Sequence, residues 1–98
     1  MEYFYVYILQ CADGSFYTGH TDNLEMRIAQ HSEGKIDGYT SQRLPIKCVF
    51  SERFSTRDEA FAAERKIKGW CRRKKMLLIN GKIESLSARI LRQAQDER

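Results

Sequence analysis

Three side chains stand where their neighbours call for apolar ones. In "NLEMRIAQH" the spacing i, i+3, i+4, i+7 puts Leu24, Arg27, Ile28 and His31 on one helical stripe, so an arginine and a histidine share the face that Leu24 and Ile28 turn inward. In a longer helical segment Ala60, Ala63, Glu64, Ile67, Trp70 and Cys71 form the apolar stripe, broadened by Phe61, and Glu64 is its only charge. Charge taken out of water needs a partner. Arg27 and Glu64 can pair with each other, leaving His31 as a satisfied core histidine. Alternatively, the inward faces of both helices line a shallow site on a sheet. Arg27 then meets an anionic oxygen through two of its nitrogens, Glu64 holds a hard divalent cation, and His31 touches phosphate or moves a proton. An arginine, a carboxylate with its metal and phenols for proton transfer suffice for phosphodiester hydrolysis. The phenols are at hand in "YFYVYIL" (Tyr3 to Leu9) and "FYTGHT" (Phe16 to Thr21).

The elements that must hold these groups can be read from patterning. "YFYVYIL" is aromatic and β-branched, which predicts a strand ending near Cys11; "ADGS" supplies a turn and "FYTGHT" the returning strand. Thr21 or Asp22 is expected to cap a helix over Asn23 to Ser32, with Glu25 as the acidic partner of Asp22. The stretch "EGKIDGYTSQRLP" breaks every periodicity and reads as a loop, and Ile46 to Phe54 as a third strand. Thr56 and Glu59 have capping-box spacing and open a helix to Trp70 or Cys71; another is expected from Arg73 to Ile79, stopped by Asn80 and Gly81. A last helix could use Leu86, Ile90 and Leu91, while "QAQDER" has nothing apolar to hold it. The order β-β-α-β-α-α predicts an α+β fold, a small, at least partly antiparallel sheet flanked by helices.

At 98 residues the chain is expected to form one domain, with residues 83–98 as its C-terminal helix and frayed tail. No run approaches the ~20 apolar residues a bilayer span needs, and the N-terminal stretch has no signal-peptide pattern, so a cytoplasmic location is expected. Cys11, Cys48 and Cys71 are odd in number and widely spaced, which argues against a disulfide framework or a zinc site. Lysine and arginine exceed aspartate and glutamate by 17 to 13, and the excess gathers in "ERKIKGWCRRKK". Such a stripe is either a solvated helix face or the footprint of a polyanionic partner.

"VYIL" (Val6 to Leu9), "YTGHT" (Tyr17 to Thr21), Arg27 in "NLEMRIAQH" and Glu64 in "AAERKI" together resemble the GIY-YIG nuclease family, most closely its small bacterial single-domain members. The likeness runs from Tyr3 to Lys75, inside a nuclease-like domain expected to span residues 1–82. It implies a three-stranded antiparallel sheet flanked by helices, and cleavage of nucleic-acid phosphodiesters, with DNA the expected partner, using one divalent ion, Mg2+ or Mn2+. Tyr7 and Tyr17 look like the two motif tyrosines, one of them a candidate general base. By the same resemblance Gly19 lets the backbone pass close to the site, Arg27 stabilises the transition-state phosphate and Glu64 is the metal ligand. His20 sits where many members carry lysine or another polar residue, and His31 matches a histidine of several subfamilies. Lys66, Lys68, Arg72, Arg73, Lys74 and Lys75 would grip phosphates away from the scissile bond. Tyr5 and Thr18 replace the glycine and the isoleucine of the motifs, and Met76 stands where some members place an asparagine. A binding module that keeps this fold without turnover is therefore the second reading.

The turn decides whether the two tyrosines can cooperate. A two-residue loop at Asp13-Gly14 would pair Tyr7 with His20 and send Tyr7 and Tyr17 to opposite faces. A three-residue loop, Ala12-Asp13-Gly14 with Gly14 left-handed, pairs Cys11 with Ser15, Leu9 with Tyr17 and Tyr7 with Gly19, which puts both phenols on one face. The second register is the expected one.

Overall fold

The computed structural model describes residues 3–36 and 38–82. Its elements are β1 (Phe4–Gln10), β2 (Phe16–Thr21), α1 (Leu24–Ser32), β3 (Lys47–Phe54), α2 (Arg57–Lys68) and α3 (Arg72–Ile79). The sheet is antiparallel throughout, in the order β2-β1-β3, so the most apolar strand takes the centre. Val6, Ile8 and Leu9 are fully buried there. Val6 and Ile8 join Phe54, Ala60, Ala63, Ile67 and Leu78 in one core between the sheet and helices α2 and α3. Alternation then turns Tyr5, Tyr7 and Leu9 to the opposite face, the side on which α1 lies. Beside β3 the pairing slips between Ile8 and Leu9, where Val49 is the extra residue of a bulge.

The hairpin adopts the three-residue register. Tyr7 pairs with Gly19 and Leu9 with Tyr17. The turn closes with Cys11 N–H donating to Ser15 O at 2.8 Å and Gly14 N–H donating to Cys11 O at 2.9 Å. Gly14 has φ +86°, a conformation that costs a residue with a Cβ.

The helix starts differ from expectation by a residue or two. Asn23, not Thr21 or Asp22, caps α1, its side chain accepting from Met26 N–H at 3.1 Å. Thr21 instead braces the cap, accepting from Asn23 N–H at 3.1 Å, and Asp22 faces Arg57. Thr56 caps α2 as read, accepting from Glu59 N–H and donating to its carboxylate at 3.2 Å. Gly69 ends α2 after Lys68, before the expected Trp70 or Cys71, and Cys71, in an extended conformation, begins α3 at Arg72. The helix expected beyond residue 82 lies outside the described residues.

Candidate active site

Tyr7 is 1 % exposed, and its hydroxyl reaches His31 Nε2 at 3.0 Å from the middle of the central strand. Arg27, one turn before His31 on α1, sets its charge against the same phenol. Burial raises the Tyr7 pKa well above the ordinary phenol value, the neighbouring Tyr17 and Glu64 add to the rise, and Arg27 opposes it. Gly19 makes room for this ring. A Cβ built at Gly19 would lie 2.5 Å from the Tyr7 hydroxyl oxygen and 2.7 Å from the ring carbon that bears it.

His31 is fully buried, with its Nδ1 2.7 Å from Thr40 Oγ1. Burial, helped by the Arg27 charge, lowers its pKa and favours the neutral ring. Tyr17 is half-buried and completes the cluster, with ring centroids 6.4 Å from Tyr7 and 5.1 Å from His31. Its other neighbour is Tyr39, nearly parallel at 6.4 Å, over which the Arg43 guanidinium sits at 3.8 Å. Tyr7, Tyr17, Arg27 and His31 thus form one group on the α1 face.

Glu64 lies on the other face. His20 pairs with Val6 across the strands, so its ring stands on the α2 side, where Nδ1 meets Glu64 Oε1. Lys68, one turn on, holds Oε2 at 2.6 Å. Burial pushes the Glu64 carboxyl up, but the hydrogen bonds and charges of Lys68 and His20 outweigh it and hold the carboxyl below the usual range. Glu64 therefore pairs with His20 and Lys68 and not with Arg27, which removes the simple Arg27–Glu64 pairing. The expected single floor beneath both helices is also replaced: two half-sites meet around the edge strand β2, with side-chain-free Gly19 between them.

The basic stripe divides. Besides Lys68 on Glu64, Arg72 donates from Nη1 to Gly14 O at 2.8 Å and covers the Phe16 ring at 4.5 Å, bracing the hairpin. Lys74 sits over Trp70 at 4.4 Å. Arg73 is exposed, Lys75 is half-buried, and Lys66 lines a shallow concavity with Asp58, Phe61, Ala62 and Arg65. Sequence reading missed Thr40, Tyr39 and Arg43. All three lie in a loop with no periodicity, and the contact of Thr40 with His31 crosses nine positions that no spacing rule connects.

A divalent cation is compatible with this donor set. Among the described residues no group of three or more histidine, cysteine, aspartate or glutamate side chains gathers. A hard cation of the Mg2+ type is commonly held by one or two carboxylates, with waters and substrate phosphate completing its shell. Glu64 supplies one ionised carboxylate whose present partners, a lysine on a flexible stem and a histidine, are exchangeable.

Against known families, the model of the GIY-YIG catalytic domain matches residues 3–77. The chain belongs to the GIY-YIG family. UPF0213 protein SSP2268 of Staphylococcus saprophyticus is 42 % identical over 80 residues, covering 82 % of this chain and 98 % of that protein. UPF0213 protein SH2523 of Staphylococcus haemolyticus is 47 % identical over 75 residues, 76 % of this chain and 92 % of the relative. The NMR structure of UPF0213 protein BH0048 from Bacillus halodurans aligns with a TM-score of 0.55 at 42 % identity, covering 82 % of this chain and 85 % of that one. A GIY-YIG domain implies nuclease-like function and nucleic acid as its partner, in a family that generally uses a divalent metal. No helix among the described residues is long and apolar enough to cross a membrane.

Proposed function

We propose that this GIY-YIG domain is an endonuclease that hydrolyses DNA phosphodiester bonds with one Mg2+ or Mn2+ ion. The observation that carries the proposal is that two neighbouring positions of β2 serve both groups: His20 pairs with the buried, ionised Glu64 and Gly19 makes room for the buried Tyr7 phenol, on which the Arg27 charge acts. Arg27 is placed to take a phosphate oxygen and to offset the charge that builds up on it in the transition state. Tyr7, hydrogen-bonded to His31 and beside the Arg27 charge, is the group for proton transfer, and Tyr17 packs next to it. Glu64, with His20 next to it, would hold the cation, which when bound polarises the phosphate and lowers the pKa of its water. Arg73, Lys75 and Lys66 remain for phosphates farther along the strand, since Lys68, Arg72 and Lys74 have partners within the fold. Phosphate contacts of this kind give affinity with little sequence readout, so cleavage directed by DNA structure is the expected mode.

The second reading, a binding module without turnover, is favoured by one feature: both Glu64 oxygens are already engaged. Incubation with linear, nicked and branched DNA in Mg2+ or Mn2+ separates the two. The wild type is expected to cleave at least one substrate, Glu64→Gln to lose activity while still binding, and Arg27→Ala to fall by about 100- to 1000-fold, the cost of removing one transition-state donor. A wild type that binds DNA and leaves every substrate intact overturns the enzyme reading.

A further inference from the structure

Thr40 is 1 % exposed in a loop most of whose residues lie at the surface. The loop is clipped to the β1–β2 turn. Arg43 N–H donates to Thr40 O at 3.0 Å, Arg43 Nη1 to Tyr39 O at 2.9 Å and Arg43 Nε to Asp13 Oδ2 at 3.2 Å; the Arg43 carbonyl accepts from Ala12 N–H at 2.9 Å. Thr40 is thereby held over α1, with Oγ1 2.7 Å from His31 Nδ1, while His31 Nε2 lies 3.0 Å from the Tyr7 hydroxyl.

A neutral imidazole carries one proton, and its neighbours choose the nitrogen. The groups facing this ring are Tyr7 from β1, Tyr17 from β2, Arg27 from its own helix and Thr40 from the loop. Arg27 can only donate, and its charge acts on the Tyr7 oxygen. If Nε2 also carried a proton toward that oxygen, the phenol's own proton would find no acceptor among the groups that face it. With the phenol donating to Nε2, the ring proton falls to Nδ1, and Thr40 Oγ1 accepts it.

We propose that Thr40 is a positioning residue: its hydroxyl oxygen accepts from His31 Nδ1–H and keeps Nε2 bare and aimed at Tyr7, so that the phenol passes its proton to His31 while taking one from the attacking water. The proposal rests on the nuclease reading above. In that step one water O–H bond breaks as the Tyr7 O–H bond is re-formed, and the proton that Tyr7 held becomes the Nε2–H of His31. The water oxygen bonds to phosphorus and the bond from phosphorus to the departing sugar oxygen breaks. The sugar oxygen takes a proton from solvent, and His31 returns its own to solvent before the next turnover. Thr40 steadies the transient imidazolium through Nδ1–H.

The test is the tautomer of His31, read by long-range proton–nitrogen correlation on 15N-histidine-labelled protein, together with cleavage rates of Thr40→Val and Thr40→Ser. Expected are a proton on Nδ1 in the wild type, its redistribution toward Nε2 in Thr40→Val, and restoration in Thr40→Ser. On a substrate that the wild type cleaves, kcat should fall about 10- to 100-fold in Thr40→Val with KM unchanged, the size typical of losing an orienting partner, and recover in Thr40→Ser. A wild-type ring protonated on Nε2 overturns the proposal, whether or not Thr40→Val folds. A Thr40→Val spectrum or kcat equal to that of the wild type does the same. A wild type with the proton on Nδ1 that cleaves nothing overturns the nuclease reading and the relay with it, leaving Thr40 only as the group that sets the tautomer.

Discussion

A missing side chain at Gly19 is what allows Tyr7 to lie flat against the edge strand. A Cβ added at this position would clash with two atoms of a fully enclosed side chain, at 2.5 and 2.7 Å, and that side chain cannot swing away without leaving His31. Gly19→Ala is therefore expected to cost about 1–3 kcal/mol of stability, the range for overpacking a tight site, and to abolish cleavage. Thermal unfolding checks the first part, and pairing the change with Tyr7→Ala should show coupling because the second substitution removes the clash. Additive effects of the two would mean that the ring and the glycine do not press on each other. At this scale residue types out of place in apolar stripes pointed to Arg27, His31 and Glu64. What they could not show is which partner each would choose, because Glu64 meets His20 across forty-four positions and His31 meets a threonine from an unpatterned loop.

Among the elements, the β1–β2 hairpin was the most legible, since the requirement that Tyr7 and Tyr17 share a face selected one turn length. Capping was less so. Asp22, Thr21 and Asn23 all carry side chains able to cap α1, and the one that does so is fixed by where the chain leaves β2. Gly69 shortened α2 for a similar reason: its N–H closes on the carbonyls of Arg65 and Lys66, ending the helix before the apolar stripe does. Gly14 is the position in the hairpin where sequence choice is narrow. Gly14→Ala forces a Cβ into the left-handed region, and nothing lies within 4 Å of that Cβ, so the penalty is conformational alone. A loss of about 1 kcal/mol is expected, measurable by chemical denaturation, with the hairpin register kept. A loss of several kcal/mol would indicate that the turn and the Arg72 brace fail together.

For the molecule as a whole, two buried groups contribute to acid stability. Glu64 is held below its ordinary value of 4.5 and His31 below 6.5. In each case the folded state binds its proton less readily than the unfolded chain, so the stabilisation is complete above the unfolded value and is lost as pH falls through the folded one. Melting temperature should decline first below about pH 6.5 and again below about pH 4.5. Glu64→Gln should weaken the second decline, which Asp13, held down by its hydrogen bonds to Ser15, shares; melting curves that fall in parallel with the wild type would assign that decline to other carboxylates. The α+β architecture itself was legible from the order of patterned segments. The wrapping of the site around β2 was not, since it depends on which faces α1 and α2 cover.

That wrapping places the reactive groups beside the outer edge of the sheet. An edge strand offers unpaired backbone groups that invite a second chain to add on, and proteins ordinarily blunt such edges. Here β2 is six residues long, and no strand among the described residues pairs with its outer side. A second copy zipped along that edge would lay its backbone beside Gly19, between the two half-sites, so self-association through this edge and access of a phosphodiester to the groups around it are mutually exclusive.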